Sequence, residues 1–306
     1  MNLQTFQLSH LKWCTKIGVK SCKRSRDLKS DYCAKCVLSY LDAMATLEKY
    51  DSKEATTNKP PVFPSVSDDI LQEGIDELVG SVRSGASRDI YPVGARFVVG
   101  DQIFEVMDYD TVKVAGKEHT LTLRLFTRDY SEMPFDSSAP GGVEWHKSTI
   151  RNWLNSTFLN QIRAPLRNVI LDVENHTIAK VKMCPKCGSE TCNCGCRDDV
   201  EYTEVTRVST DKVWLPSVGQ LGIVDDIREG DVLDAFDKDL CFTASAKRAI
   251  CEYHGDEVVP KPYWLRSQYE NQDGIRMLII GKNGELSHMD DTYETTAMVV
   301  PYITIG

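Results

Sequence analysis

Between Ser148 and Pro165 the apolar positions Ile150, Trp153, Leu154, Phe158 and Ile162 recur at the helical repeat. This predicts a short amphipathic helix with Ser148 as N-cap and Pro165 as its stop. Arg151 falls among these positions, so its stem stays dry while the guanidinium stacks on a ring or holds a backbone carbonyl. Two helical patterns precede it. Val37, Tyr40, Leu41, Met44 and Leu47 share one side of residues 33–50, and Ile70, Leu71, Ile75, Leu78 and Val79 follow a cap at Ser67. The polar stretch between them ends in Lys59-Pro-Pro-Val-Phe-Pro64 and reads as a linker. Elsewhere the period is two. Residues 95–100 and 102–107 read as strands turned at Gly100 and Asp101, and residues 121–127 alternate as a third. Residues 263–267, 275–280 and 297–303 are strand-like, with a hairpin turn at Lys282-Asn-Gly-Glu285. Residues 245–253 read as a helix stopped by Gly255. The mixture predicts an α+β fold. A loose joint at Ser84-Gly-Ala-Ser87 divides an N-terminal helical module, residues 1–85, from a larger domain, residues 86–306.

Four ordered blocks carry a family resemblance. Trp145, Ser148, Ile150, Arg151, Trp153, Leu154 and Asn155 form the first; Ser209-Thr-Asp-Lys-Val-Trp-Leu-Pro-Ser217, Tyr263-Trp-Leu-Arg-Ser267 and Val299-Val-Pro301 follow. Together they resemble a family of uncharacterised domains found in gut Firmicutes and their phages, from about Asp89 to the last residue. The resemblance implies a C-type-lectin-like α+β domain, similar also to the formylglycine-generating-enzyme fold, with its terminal strand beside the first so that Phe97 lies near Val299. It carries over no catalytic residue.

The 11 cysteines are clustered. Cys14, Cys22, Cys33 and Cys36 form one group in the N-terminal module; Cys184, Cys187, Cys192, Cys194 and Cys196 form another in an insertion at about residues 180–206. Clustered thiols without a secretion signal point to structural zinc, two sites in all, before disulfides or open thiols. His10 is an alternative to one thiolate of the first group, and one of the last three thiols of the second is spare. Such a site orders a segment too polar to own a core. Cys241 and Cys251 stand apart and read as small core residues.

Charge and hydropathy narrow the function classes. A net charge of −9 argues against general nucleic-acid binding, although Lys12, Lys16, Lys20, Lys23, Arg24, Arg26 and Lys29 form a local basic run. That run either offsets the thiolates or meets an acidic partner. No apolar run suffices to span a bilayer, and residues 1–10 lack the features of a secretory signal, so the chain is expected to stay in a cytoplasm or leave inside a particle.

No phosphate loop, nucleophile elbow or His-Glu-x-x-His pattern is present, so no catalytic residue is assigned. The formylglycine-generating reading would need a cysteine pair, and Cys241 and Cys251 lie outside every matching block. The loops at residues 267–274 and 287–294 mix aromatic, amide and acidic groups, which makes Tyr269, Asn271, His288, Asp290 and Tyr293 the candidate binding residues. The sequence therefore points to a non-enzymatic phage or prophage virion protein. A lectin-like head meets a host-surface glycan or protein, or decorates the particle. Residues 1–85 attach it to virion proteins or to further copies of itself as a homo-oligomer. A cytoplasmic bacterial binding protein with the same head is the alternative, and an oxidase of the formylglycine-generating type comes third.

Overall fold

Leu121, Leu123 and Leu125 are buried along one strand, β3 (Leu121–Phe126), which lies in the middle of a five-stranded sheet. The computed structural model describes residues 67–99, 102–126, 130–137, 144–184, 186–190, 201–224, 227–237, 250–254, 257–271, 274–289 and 292–306. In the first sheet β3 lies between β2 (Gln102–Tyr109) and β14 (Tyr302–Ile305), with β1 (Arg96–Val99) outside β2 and β7 (Val213–Trp214) outside β14. Every pairing in it is antiparallel. One cross-strand row spans all five strands: Arg96 faces Glu105, Glu105 faces Arg124, and Tyr302 pairs with both Arg124 and Trp214. Both guanidinium groups bond Glu105, and the Tyr302 and Trp214 rings meet at 5.2 Å. A buried carboxylate between two cations is a paired charge rather than a stranded one.

The second sheet runs β12 (Leu286–Met289), β11 (Gly274–Ile280), β10 (Tyr263–Asn271), β13 (Thr296–Met298), β4 (Glu132–Pro134). Its β10 and β13 are parallel and the other neighbours antiparallel. A separate ribbon pairs β5 (Val173–Met183) with β6 (Glu201–Asp211) in unbroken register, and β8 (Ile250–His254) pairs with β9 (Glu257–Lys261). With helices alongside antiparallel sheets, the fold is α+β.

Among the described residues five α-helices accompany the strands: α1 (Asp68–Arg83), α2 (Ser87–Ile90), α3 (Thr149–Trp153), α4 (Leu159–Gln161) and α5 (Ala164–Arg167). A π-helical turn, Leu154–Phe158, joins α3 to α4. Ile150, Leu154, Phe158 and Ile162 are buried, as their spacing requires. Phe135 meets Trp264 edge-on at 5.5 Å and Trp145 at 6.4 Å, so the tryptophan helix and the late strands share one core.

Several expectations change. The helix stops at Ile162, which is extended, and Pro165 instead opens α5, where its missing N–H costs nothing. Ser67 precedes α1 without a side-chain cap bond, and Ile70 points to solvent while Leu71, Ile75, Leu78, Val79 and Val82 enter the core. That helix, which the sequence groups with residues 1–85, thus lies in the compact unit Val66–Gly306. Residues 250–254 are a strand paired with Glu257–Lys261, not the end of a helix, and the predicted helix stop, Gly255, lies outside the described residues. The terminal strand joins the first sheet beside β3 and β7, with β2 and β3 between it and β1. Residues 180–183 and 201–206 of the insertion belong to the ribbon, where backbone pairing orders them. The hairpin at Lys282-Asn-Gly-Glu285 forms as predicted, with Gly284 at φ 80°.

Candidate functional site

The first signature block is organised by a carboxylate. Ser148 Oγ accepts from the Arg151 amide and donates to the Trp145 carbonyl, which seats Trp145 and Arg151 on the same side of the helix start. Both side chains then reach Asp211, the last residue of β6, whose side chain is fully buried. Arg151 Nε donates to Oδ1 at 2.6 Å; Trp145 Nε1 and Asn175 Nδ2 each donate to Oδ2 at 3.1 Å, and Ser209 Oγ at 2.7 Å. The remaining Arg151 nitrogens hold the carbonyls of His146 and Thr210. Asn155 completes the set by acting as a strand edge: its Oδ1 accepts the Lys212 and Val213 amides and its Nδ2 donates to the Val213 carbonyl. The first two blocks are therefore the two halves of one buried network.

The third block is organised by a cation. Between Trp264 and Gln268 the β10–β11 register shifts, and in this bulge the Arg266 amide leaves the ladder to donate to Pro216 of the second block. Its side chain is buried, with Nη1 on the Leu215 carbonyl at 2.7 Å and on Gln220 Oε1 at 2.6 Å, Nη2 on the Glu229 carbonyl, and the guanidinium 5.8 Å from the Trp214 ring. The Glu229 carboxylate is turned elsewhere, to Ser267 Oγ and to the Ile178 amide of β5 at 2.8 Å. Burial holds the Arg266 guanidinium down to about 10, against the pull of Glu229 and Asp211 in the other direction. Residues 225–239 are rich in acidic side chains, a composition that suggests a solvated surface, yet Glu229, Leu233, Ala235 and Phe236 are buried.

The proposed recognition residues sit on strand ends more than on loops. Tyr269 and Asn271 belong to β10 and His288 to β12, while Tyr293 lies between β12 and β13; the side chain of Asn271 and the whole of Asp290 fall outside the described residues. Register places Tyr269 opposite Arg276 and His288 opposite Leu278, on one face of the sheet. The Tyr269 and His288 rings stack at 5.5 Å and 29°. Tyr269 is 44% exposed and Tyr293 40% exposed, so both rings are offered to solvent. Only two residues separate Tyr269 from Arg266, and Gln268 between them accepts the Lys180 amide of β5 at 2.7 Å. An exposed aromatic is thus rooted directly in the buried network.

Of the predicted zinc ligands, Cys14, Cys22, Cys33, Cys36, Cys192, Cys194 and Cys196 lie outside the described residues. Cys184 is buried and Cys187 exposed, at the end of the ribbon. Among the described residues no three His, Cys, Asp or Glu side chains come together as a metal site, and no helix is long and apolar enough to cross a membrane. Ser209 and Asp211 stand in the second signature block without an assigned role, and the network residues that sequence reasoning did not single out are Asn175, Gln220 and Glu229. A signal existed for one of them. Asn175 occupies an inward position of β5 in line with Val173, Thr177, Ala179 and Val181, where a polar residue requires a buried partner.

No curated protein and no solved structure matches the chain. Residues 118–305, which contain all four signature blocks, match the family described as Domain of unknown function (DUF6273), and the chain belongs to that family.

Proposed function

We propose that this is a non-enzymatic recognition protein, a phage or prophage particle component whose lectin-like head presents the Tyr269–His288 face to a host-surface glycan or protein. The observation that carries the reading is the stacked, solvent-exposed pair at the end of a strand anchored by Arg266. A flat aromatic surface on a rigid support loses little entropy when it covers a sugar ring or a side chain. The charged residues of the signature blocks support it as well, because Arg151, Asp211 and Arg266 spend their hydrogen bonds on one another's supports and on backbone groups. Residues 1–65 would attach the head to the particle or to further copies of the chain.

The test uses the full chain and cell-wall fragments of the bacterium that encodes it. Saturable binding is expected, and Tyr269→Ala or His288→Ala should weaken it by about tenfold or more while leaving the melting temperature within about 1 °C. Absence of binding, or binding indifferent to both substitutions, would refute the proposal. Antibody labelling of purified particles checks the location.

A further inference from the structure

We propose that the outer edge of β6, from Tyr202 to Val208, is a dimerisation surface, at which a second copy of the chain adds its own β6 antiparallel about a two-fold axis at Val205. The proposal is independent of the recognition reading and rests on different residues.

The direction of the backbone groups along β6 follows from bonds already in place. In an antiparallel ladder, residues alternate between turning both amide and carbonyl to the partner strand and turning both away from it. On β5 the Ile178 amide leaves the ribbon for Glu229, and the Lys180 amide leaves it for Gln268. Their register partners on β6, Thr206 and Glu204, therefore turn outward too, on the other side of the ribbon. The far end of β6 agrees: the Thr210 carbonyl turns out to Arg151, and the Lys212 amide just beyond it to Asn155. The outward residues are thus Tyr202, Glu204, Thr206, Val208 and Thr210. Arg151 covers Thr210, and among the described residues no group meets the outward backbone of the other four.

The two edges of the ribbon are therefore unlike. On the β5 side, two side chains stand where a third strand would; on the β6 side the place is open. An open edge is ordinarily guarded by a proline, a bulge or a free charge. Strand β6 has no Pro, no Gly and no register shift in its 11 residues, and Val208 on its outward row is 53% exposed. The one charge in that row, Glu204, is held by Lys180 at 2.6 Å and by Arg228 at 2.7 Å.

The same stretch specifies its occupant, because it is complementary to itself. Turned antiparallel about Val205, Tyr202 meets Val208 of the second copy and Glu204 meets Thr206, so each open residue gains a partner and no covered residue is called on. An aromatic opposite a β-branched side chain is a favourable cross-strand pair, and Val205 meets its own copy at the axis. Neighbouring registers are worse. Centring on Glu204 sets that carboxylate against itself, and centring on Thr206 calls on Thr210, where Arg151 already sits. The product is a four-stranded sheet, β5–β6–β6–β5, built from two ribbons that have no third strand of their own.

The test is made on the full chain. Sedimentation across a dilution series should show an assembly whose mass halves on dilution, and halves also in Thr206→Pro, which removes an outward N–H and none of those in the β5–β6 ladder. Tyr202→Lys with Val208→Lys should do the same without touching the backbone, which covers a proline variant that does not fold. Hydrogen exchange gives a second reading. In the concentrated parent the amides of Tyr202, Glu204, Thr206 and Val208 should exchange more slowly than in either variant, by about tenfold or more. Those of Thr203, Val205 and Arg207, which face β5, should not differ. A mass unchanged by both variants would overturn the proposal, whatever else in the chain associates. So would a parent that is monomeric at every concentration, or outward amides protected only when another protein is added.

Discussion

Asp211 and Arg266 are both buried charges at the junctions of signature blocks, and the fold meets them in opposite ways. Asp211 has a full counter-charge in Arg151 at 2.6 Å, and three uncharged donors fill its other oxygen. Arg266 is held by two backbone carbonyls, an amide oxygen and a tryptophan face, while the nearby Glu229 carboxylate bonds a hydroxyl and an amide. One network is an ion pair with neutral support; the other is a cation solvated by dipoles. The difference predicts what each substitution strands. Removing Asp211 strands a guanidinium, whereas removing Arg266 strands only neutral oxygens and relieves the desolvation of a charge.

The largest effect is therefore expected from Asp211→Ala. It leaves Arg151, the Trp145 indole N–H and Asn175 facing an empty position, at a cost of about 3–5 kcal/mol by the usual magnitude for breaking a buried pair. Denaturant midpoints measure it. Adding Arg151→Met should recover part of the loss, since the pair then disappears together; strictly additive losses would show that Asp211 acts through its neutral donors. Arg266→Met should cost less, about 1–2 kcal/mol, because the Leu215 and Glu229 carbonyls lose their donor but no directly hydrogen-bonded counter-charge is left behind. A loss equal to that of Asp211→Ala would erase the distinction between the two networks.

These networks also mark where the sequence could be read and where it could not. The period of Ile150, Leu154, Phe158 and Ile162, the Ser148 cap and the Gly284 turn are local, and local rules recover them. The role of Asp211 was invisible because its partners come from residues 145, 151 and 175, which only the folded chain brings together. Glu229 is hidden from the sequence for a related reason: an acidic stretch looks solvated until a bulge in β10 supplies Ser267 to meet it. Residues 250–254 went wrong as a choice of period, since a five-residue run beside a glycine fits a helix end and a hairpin equally well until its partner strand is known. Tyr269 and His288 were chosen for composition alone, yet pleat and register set them on one face.

The smallest predicted effect lies at the rim, where charges titrate instead of staying locked. His146 sits between Glu144 and the cations Lys147, Arg207 and Arg151; burial depresses its pKa below the usual 6.5, Glu144 opposes that, and the three cations add to it. Glu144 is also depressed: burial alone would raise it, but hydrogen bonds from Lys147 and Arg207 outweigh that. A histidine harder to protonate in the folded chain contributes stability that is complete above pH 6.5 and is lost as pH falls through its lowered folded value. The carboxylate acts in the same sense but over a separate window, below its ordinary value of 4.5. His146→Gln should therefore flatten the melting-temperature profile just below pH 6.5, by on the order of 1 °C, and leave the fall below 4.5 intact. A slope that survives the substitution would move the pH response away from this rim.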